Sequence, residues 1–165
     1  MLDTTVLNAM TTSVLCWLAT CDARGQPNVS PKEVFAAVDA QHLVIAHIAS
    51  PNSVRNLTSN PRVCVSFVNV FTQKGFKLQG EAAVIWPADP RFAGLETLLL
   101  PQTQGRFPIR AAIMVTVAAV EPIVAPSYRL FPNDTTEASQ VASAMRTYGV
   151  VPAPDADKEG QGSQP

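Results

Sequence analysis

The sequence predicts a mainly β protein, an antiparallel β-barrel with a few short helices. Its strand-length apolar runs follow one another through turns, without regular alternation with helices, which favours a barrel over a doubly wound sheet. The 165 residues also contain neither a glycine-rich dinucleotide motif nor a phosphate-binding P-loop. We expect residues 1–150 to form one domain with a real core, and the polar tail 151–165 to be disordered.

Composition narrows the class of protein. A charged fraction of 15% and a net charge of −1 argue against a nucleic-acid binder, which usually carries a basic stripe. Cys16, Cys21 and Cys64 have no C-x-x-C spacing, which predicts reduced thiols rather than a disulfide framework or a zinc site. His42 and His47 lie five apart in a strand-like run, so they cannot share a metal. No membrane span and no secretion signal are recognised, so we expect a cytoplasmic protein.

The first part of the chain reads as one helix followed by strands. Asp3 is the expected cap of the first helix, and Gly25 allows the tight turn of the first hairpin. The predicted elements are helix 4–10, strand 14–20, a turn at 22–25, strand 27–38 and strand 42–48.

The second part predicts strands on either side of a helix. Strand 62–70 is apolar on both faces, so we expect it to be covered on both sides, and 71–81 contains a half-exposed strand. Residues 87–100 hold a helix that Pro90 can start, and a loop follows at 101–105. The dipeptide at 121–122 separates strand 109–120 from strand 123–130. Asp134 or Thr135 caps the last helix, which runs to Tyr148 and ends at Gly149.

The connection between strands 42–48 and 62–70 predicts a short helix with both ends marked. Ser50 is the expected N-cap, Pro51 suits the first helical position, and Pro61 stops the helix at about Asn60. Its first turns carry Asn52, Ser53 and Arg55 beside free backbone N–H groups, an arrangement that favours a phosphate. The alternative is a plain connection in which Ser50 caps the helix and Arg55 is solvated.

Two lysines have the strand parity of core residues. Lys32 follows Pro31, which cannot donate to a ladder and so marks an edge or a bulge. Lys74, in the strand predicted within 71–81, has the same inward parity. Two cations on the inward face favour a buried anion, whereas the alternative is that both reach solvent at strand ends.

Four segments together resemble the pyridoxamine 5′-phosphate oxidase-like FMN-binding split-barrel family. They are DARGQPNVSPK at 22–32, SPNSVRNL at 50–57, NPRV at 60–63 and QKGFKLQG at 73–80. Their order and spacing carry the resemblance, which covers roughly residues 10–130. It implies a six-stranded antiparallel split β-barrel that forms a homodimer, with FMN held in two clefts at the interface.

The resemblance also implies which residues meet FMN. Lys32, Asn52 and Ser53 match phosphate contacts, the strand before the helix lies beside the flavin ring, and segment 73–75 supplies donors. The full expected set is Ser30, Pro31, Lys32, Ala46, His47, Ile48, Ser50, Asn52, Ser53, Arg55, Gln73, Lys74 and Gly75.

Two departures separate the chain from vitamin B6 oxidases. Those enzymes usually carry an Arg-Lys pair where Asn52 and Ser53 stand, and they end in an Arg-rich segment that has no counterpart here. Lys32, Arg55 and Lys74 are therefore the candidates that balance the phosphate charge. His47 is the one candidate for proton transfer, the alternative being a packed histidine with a backbone partner.

The sequence thus predicts an FMN-dependent oxidoreductase that moves electrons from a reduced donor, with NAD(P)H a candidate, to a small acceptor. No catalytic residue and no metal ligand is assigned. One alternative is a non-catalytic protein on the same barrel, a flavin store, an electron carrier, or a haem or deazaflavin binder. Another is a ligand-free dimeric scaffold.

Overall fold

The computed structural model describes residues 1–153, which form seven strands and five helices. Most of the predicted disordered tail, residues 154–165, lies outside the described residues. The elements are α1 Thr4–Thr11, β1 Cys16–Cys21, β2 Pro27–Lys32, β3 Phe35–Ala37, β4 His42–His47, α2 Pro51–Leu57, β5 Arg62–Asn69, β6 Lys74–Ile85, α3 Phe92–Thr103, β7 Ala111–Val124, α4 Ser127–Leu130 and α5 Glu137–Tyr148.

All seven strands of the described chain belong to one antiparallel sheet, in the order β2-β1-β5-β6-β7-β4-β3. Its two edge strands, β2 and β3, are separated in the chain only by Glu33 and Val34. A link this short forces the sheet to curl until its edges approach each other. The predicted mainly β, antiparallel split barrel is therefore confirmed.

The strand count differs from the predicted six because strand 27–38 is divided. Its first part, β2, pairs with β1, whereas its last part, β3, pairs with β4. The interruption comes after Lys32. This residue follows Pro31, which predicted an edge or a bulge at this point. The chain changes partners there, and the split in the barrel opens between the two halves.

Two apolar clusters hold the fold together. The larger fills the barrel and includes Leu18, Phe67 and Leu78. The smaller lies between α3 and the outer face of β4 and β7, with Leu99 at its centre. The sequence predicts burial on both faces for residues 62–70, but β4 is the strand buried in this way, because α3 covers it. In β5, alternate residues stay half-buried.

The expected break at Glu121-Pro122 is wrong, because β7 is a single strand through both residues. β7 pairs with β4 only as far as Thr116, while its pairing with β6 continues to Val124. Pro122 thus lies where one side of β7 has no partner strand, and its missing N–H removes no ladder bond. Of the predicted strand 123–130, residues 123–124 belong to β7 and Ser127–Leu130 form α4 instead.

The helix ends follow the predictions in part. Asp3 caps α1, its Oδ1 accepting from the Val6 N–H at 2.9 Å, and Gly149 ends α5 at φ +66°. The cap of α5 is Thr136, one residue beyond the predicted candidates, because its hydroxyl accepts from the Ser139 N–H at 3.1 Å. α3 starts at Phe92 and runs to Thr103, so the expected loop at 101–105 is largely helical.

Candidate functional site

A cavity of about 300 Å³ opens where the barrel is split. Three parts of the chain meet there: the β2–β3 corner, the end of β4 with the residues that lead into α2, and the end of α3 with the loop after it. The lining residues are Pro31, Lys32, Glu33, Val34, Ala46, Ile48, Ala49, Ser50, Gln102 and Phe107. We call this the corner cavity. Its lining is apolar on the β4 side and charged at the corner.

Lys32 is the most unusual side chain of the corner cavity. It is only 5% exposed, and its ammonium donates a hydrogen bond to the Ser50 hydroxyl. No carboxylate of residues 1–153 lies within 4.0 Å of its nitrogen. Burial lowers the pKa of Lys32, because desolvation disfavours the charged form. A buried ammonium without a counter-ion favours an anionic ligand.

A polar seam joins β2 to α2. Alternate residues of β2, starting at Asn28, each meet a polar side chain that lies on α2 or directly before it. These partner residues are spaced three apart in the sequence. The pairs are Asn28 with Asn56 through Thr20, Ser30 with Ser53, and Lys32 with Ser50. The Ser30 and Ser53 hydroxyls lie 3.0 Å apart, and Ser53 is buried. The seam fixes the start of α2 against the end of β2, beside the cavity.

Ser50 stands at the N-cap position of α2, as predicted, but its hydroxyl does not cap the helix. Its side chain makes no cap hydrogen bond and turns to Lys32 instead. The Ser50 backbone N–H donates to His47 Nδ1 at 3.4 Å. His47 therefore orients the residue that meets the ammonium.

His47 is buried, and its pKa is lowered, first by desolvation and then by the charges of Lys32 and Arg110. These effects favour the neutral imidazole, with Nδ1 accepting from Ser50 and the proton on Nε2. The backbone of Arg110 also donates to the His47 carbonyl oxygen at 2.9 Å. This geometry fits the alternative given for His47 in the sequence analysis, a packed histidine with a backbone partner.

The remaining predicted residues on α2 lie on its exposed side. Asn52 and Arg55 are exposed, and the Asn52 amide oxygen accepts from Arg55 Nη1 at 3.2 Å. Arg55 makes no salt bridge with any carboxylate of the described chain. Its guanidinium is available to an anion at the start of α2.

Segment 73–75 lies elsewhere in the subunit, at the turn between β5 and β6, and none of its residues lines the corner cavity. Lys74 donates to Glu137 Oε1 at 2.7 Å and lies 4.5 Å from the centre of the Tyr128 ring. The hydrogen bond to Glu137 raises the pKa of Lys74. Its side chain is 40% exposed, so the expectation that Lys74 faces a buried anion is wrong within one subunit.

Gln102 and Phe107 contribute to the corner cavity without having been predicted. The Gln102 Oε1 accepts from the Phe35 N–H at 3.2 Å, which ties α3 to β3, and Phe107 is 51% exposed at the rim. Both come from chain segments far from the recognised motifs. Their position depends on where α3 packs, and no local pattern in the sequence carries that information.

The part of the chain that the structure describes holds no group of three or more His, Cys, Asp or Glu able to bind a metal ion. None of the helices in residues 1–153 is both long and apolar enough to cross a membrane.

A family model described as pyridoxamine 5′-phosphate oxidase matches residues 2–123. The chain belongs to this family. No protein of curated function matches the sequence significantly. The family match begins near the start of α1 and ends one residue before the end of β7, so it spans the whole sheet and the corner cavity.

Several solved structures share this fold. HupZ of Group A Streptococcus is 20% identical with a TM-score of 0.66, over 76% of this chain and 96% of HupZ. An FMN-binding protein from Syntrophomonas wolfei is 14% identical with a TM-score of 0.62, over 73% and 88%. An F420 reductase is 21% identical with a TM-score of 0.53, over 71% and 94%. At these identities the likeness concerns the fold.

Proposed function

We propose that this protein is an FMN-dependent oxidoreductase that moves electrons from a reduced donor to a small acceptor. The observation that carries the proposal is the buried Lys32 ammonium, which borders the corner cavity and forms no salt bridge with a carboxylate of residues 1–153. Family membership and the fold shared with an FMN-binding protein support the choice of cofactor.

The corner of the cavity suits a phosphate. Lys32 supplies a positive charge, Ser50 a hydroxyl, and the first turn of α2 supplies free N–H groups. Arg55 and Asn52, exposed on the same helix, are the proposed second contacts of the doubly negative group. Ser30 and Ser53 hold the seam beneath it.

The β4 side of the cavity suits the flavin ring. Ala46, Ile48 and Phe107 supply apolar surface. His47 Nδ1 accepts from the Ser50 N–H and so holds the Ser50 backbone in place. When bound, FMN supplies reversible two-electron redox chemistry, and the protein sets its position and electrostatics. The roles of the residues are then to bind the phosphate, exclude water from the ring and fix the start of α2. NADH and NADPH are the first donors to test.

We further propose that two chains pair, with FMN in the clefts between them. Val14, Trp17, Val29 and Val70 form an exposed apolar flank, with exposed fractions of 87%, 46%, 56% and 50%. Apolar area of this kind is typical of a surface that another chain covers. Gln73, Lys74 and Gly75 stay predicted FMN contacts, and their position in the subunit means that the partner must bring them to the cavity.

We also propose a cytoplasmic location, which the three free thiols fit.

The experiment is to denature the purified full-length protein and identify the released small molecule by mass. FMN is the expected product, and adding NADH or NADPH to the yellow protein is expected to bleach its flavin absorbance. A flavin that is released but never reduced or turned over would favour a non-catalytic flavin carrier. Release of a deazaflavin or haem, or a colourless protein that takes up no added FMN, would contradict the proposal.

A further inference from the structure

We infer that a second cavity, next to the corner cavity, binds a small apolar molecule that carries an amino group. This second cavity has a volume of about 550 Å³ and lies between α1, β3 and the end of α3. Its apolar wall includes Leu7, Met10, Phe35 and Ala36. Val14, which belongs to the apolar flank proposed above as a contact between two chains, lines it as well. The volume is within the range of small-molecule sites, which are mostly apolar with a few polar groups that orient the ligand.

The two cavities share a wall. Glu33 and Gln102 line both of them. The Gln102 amide oxygen is held by the Phe35 N–H at 3.2 Å, which leaves the amide nitrogen as the donor available to a ligand. A molecule in the second cavity would therefore touch the same two side chains that border the corner cavity.

Charge distinguishes the two cavities. The corner cavity is lined by Lys32 as well as by the exposed Glu33, whereas Glu33 alone is charged among the residues that line the second cavity. Glu33 also forms no salt bridge with any cation of residues 1–153. An anion is thus favoured in the first cavity, and an amine or a neutral donor in the second. The shape and the charge together define the ligand class as an apolar amine.

The position of this ligand beside the flavin depends on the proposed function, because it assumes FMN in the corner cavity. The binding itself does not. The two claims can therefore be tested on the same sample with separate readouts.

The test uses three probes that share one ring system and differ in charge: 1-naphthylmethylamine, 1-naphthylmethanol and 1-naphthoate. Each is titrated into the full-length protein with and without added FMN, and binding is followed by protein NMR shifts. We expect the amine to bind most tightly and the carboxylate least. Glu33→Gln should reduce the preference for the amine over the carboxylate by about fivefold, the size of one partly exposed ion pair.

Two further variants locate the effect. Glu96→Gln makes the same change on α3 at a residue that lines neither cavity, so the preference should remain. Thr11→Phe narrows the second cavity from the α1 side, away from α3 and the corner cavity. It should weaken binding of all three probes, while FMN affinity, measured by flavin fluorescence, stays unchanged.

The outcomes are separable. If the protein takes up no FMN but binds the amine in a Glu33-dependent way, the proposed function fails and the second site stands. If FMN binds but no probe does, as expected where a second copy of the chain fills the cavity, the inference is overturned. A probe order that Glu33→Gln leaves unchanged overturns it as well.

Discussion

Lys32 combines a charge with near-complete burial, and its environment explains why it points to a ligand. Moving an ammonium out of water costs several kcal/mol unless an anion or several hydrogen bonds offset it. Among the described residues, its hydrogen-bond partner is the neutral Ser50 hydroxyl. A phosphate placed beside Lys32 would provide the missing charge, so the apo protein bears a local destabilisation that ligand binding relieves.

The buried His47 predicts an acid-side loss of stability. Its pKa in the folded protein lies below the ordinary value of 6.5, chiefly because of burial, so the unfolded chain takes up the proton first. The stability that neutral His47 contributes is present above pH 6.5 and is lost as the pH falls through the lower, folded pKa. His47→Asn should flatten the dependence of the unfolding free energy on pH in this window, measured by urea titration.

His42→Asn is the matched control, since His42 is partly exposed and paired with Asp39 at 2.8 Å. The acid-side loss should persist in that variant. A wild-type protein whose stability does not change between pH 7 and pH 5, or a loss that His47→Asn leaves intact, would contradict the assignment.

Strand parity predicts an inward, buried position for both lysines, and this is right for Lys32 and wrong for Lys74. Parity gives the face of a strand but not how deep the residue lies, and Lys32 is at the covered end of β2. Lys74 is the first residue of β6, where α5 supplies Glu137 as a partner. Ser50 was predicted as a cap because serine commonly is one, yet a buried ammonium competes more strongly for its hydroxyl than the helix N–H groups do.

The β-bulge in β6 makes a prediction about backbone packing. The pairing of β6 with β7 shifts register between Gln79 and Gly80, and a Cβ at Gly80 would lie 2.0 Å from the Thr116 carbonyl oxygen. The backbone of the sheet must then move. Gly80→Ala should lower the unfolding free energy by about 1–3 kcal/mol or more, measured by urea denaturation.

Gly94→Ala provides the control, because Gly94 lies in α3 with nothing within 4 Å of the added methyl. There alanine should be neutral or stabilising by up to about 1 kcal/mol. Equal effects of the two substitutions would show that close approach at the bulge is not what requires glycine.

The strands were predictable as apolar runs, but their partners were not. Residues 27–38 alternate as one strand, and no local feature states that β2 and β3 pair at opposite edges of the sheet. Proline removes a donor, which predicts a strand break at Pro122. It is tolerated because β7 has no partner on that side beyond Thr116. Both outcomes depend on the pairing of distant segments.

The curled sheet determines where the site lies and what it needs. Because the chain links the two edge strands through Glu33 and Val34, the cavity forms at the split, and Gln102 and Phe107 reach it only through the packing of α3. The motifs that carry the family resemblance contain Pro31, Lys32 and Ser50, which line this cavity, whereas no residue of α2 lines it. The resemblance carried no information on Gln102 and Phe107, which belong to no motif.

The proposed pairing of two chains predicts that the apolar flank matters for cofactor binding. Trp17→Arg should give a monomer in analytical ultracentrifugation and weaken FMN binding, because the cofactor would lose the partner's contacts. Trp86→Arg is the matched control, since Trp86 is 49% exposed, close to the 46% of Trp17, and lies after β6 outside the flank. A Trp17→Arg protein that stays dimeric, or a wild-type protein that is monomeric, would contradict this interface.

The central claim is that Lys32 holds the phosphate of FMN, and calorimetric titration of FMN and riboflavin tests it most directly. Riboflavin lacks the phosphate, so wild-type protein should bind FMN far more tightly. Lys32→Met should weaken FMN by about 1–3 kcal/mol and leave riboflavin nearly unchanged, which narrows the gap between the two ligands. Equal affinities in the wild-type protein, or a gap that Lys32→Met does not change, would contradict the claim.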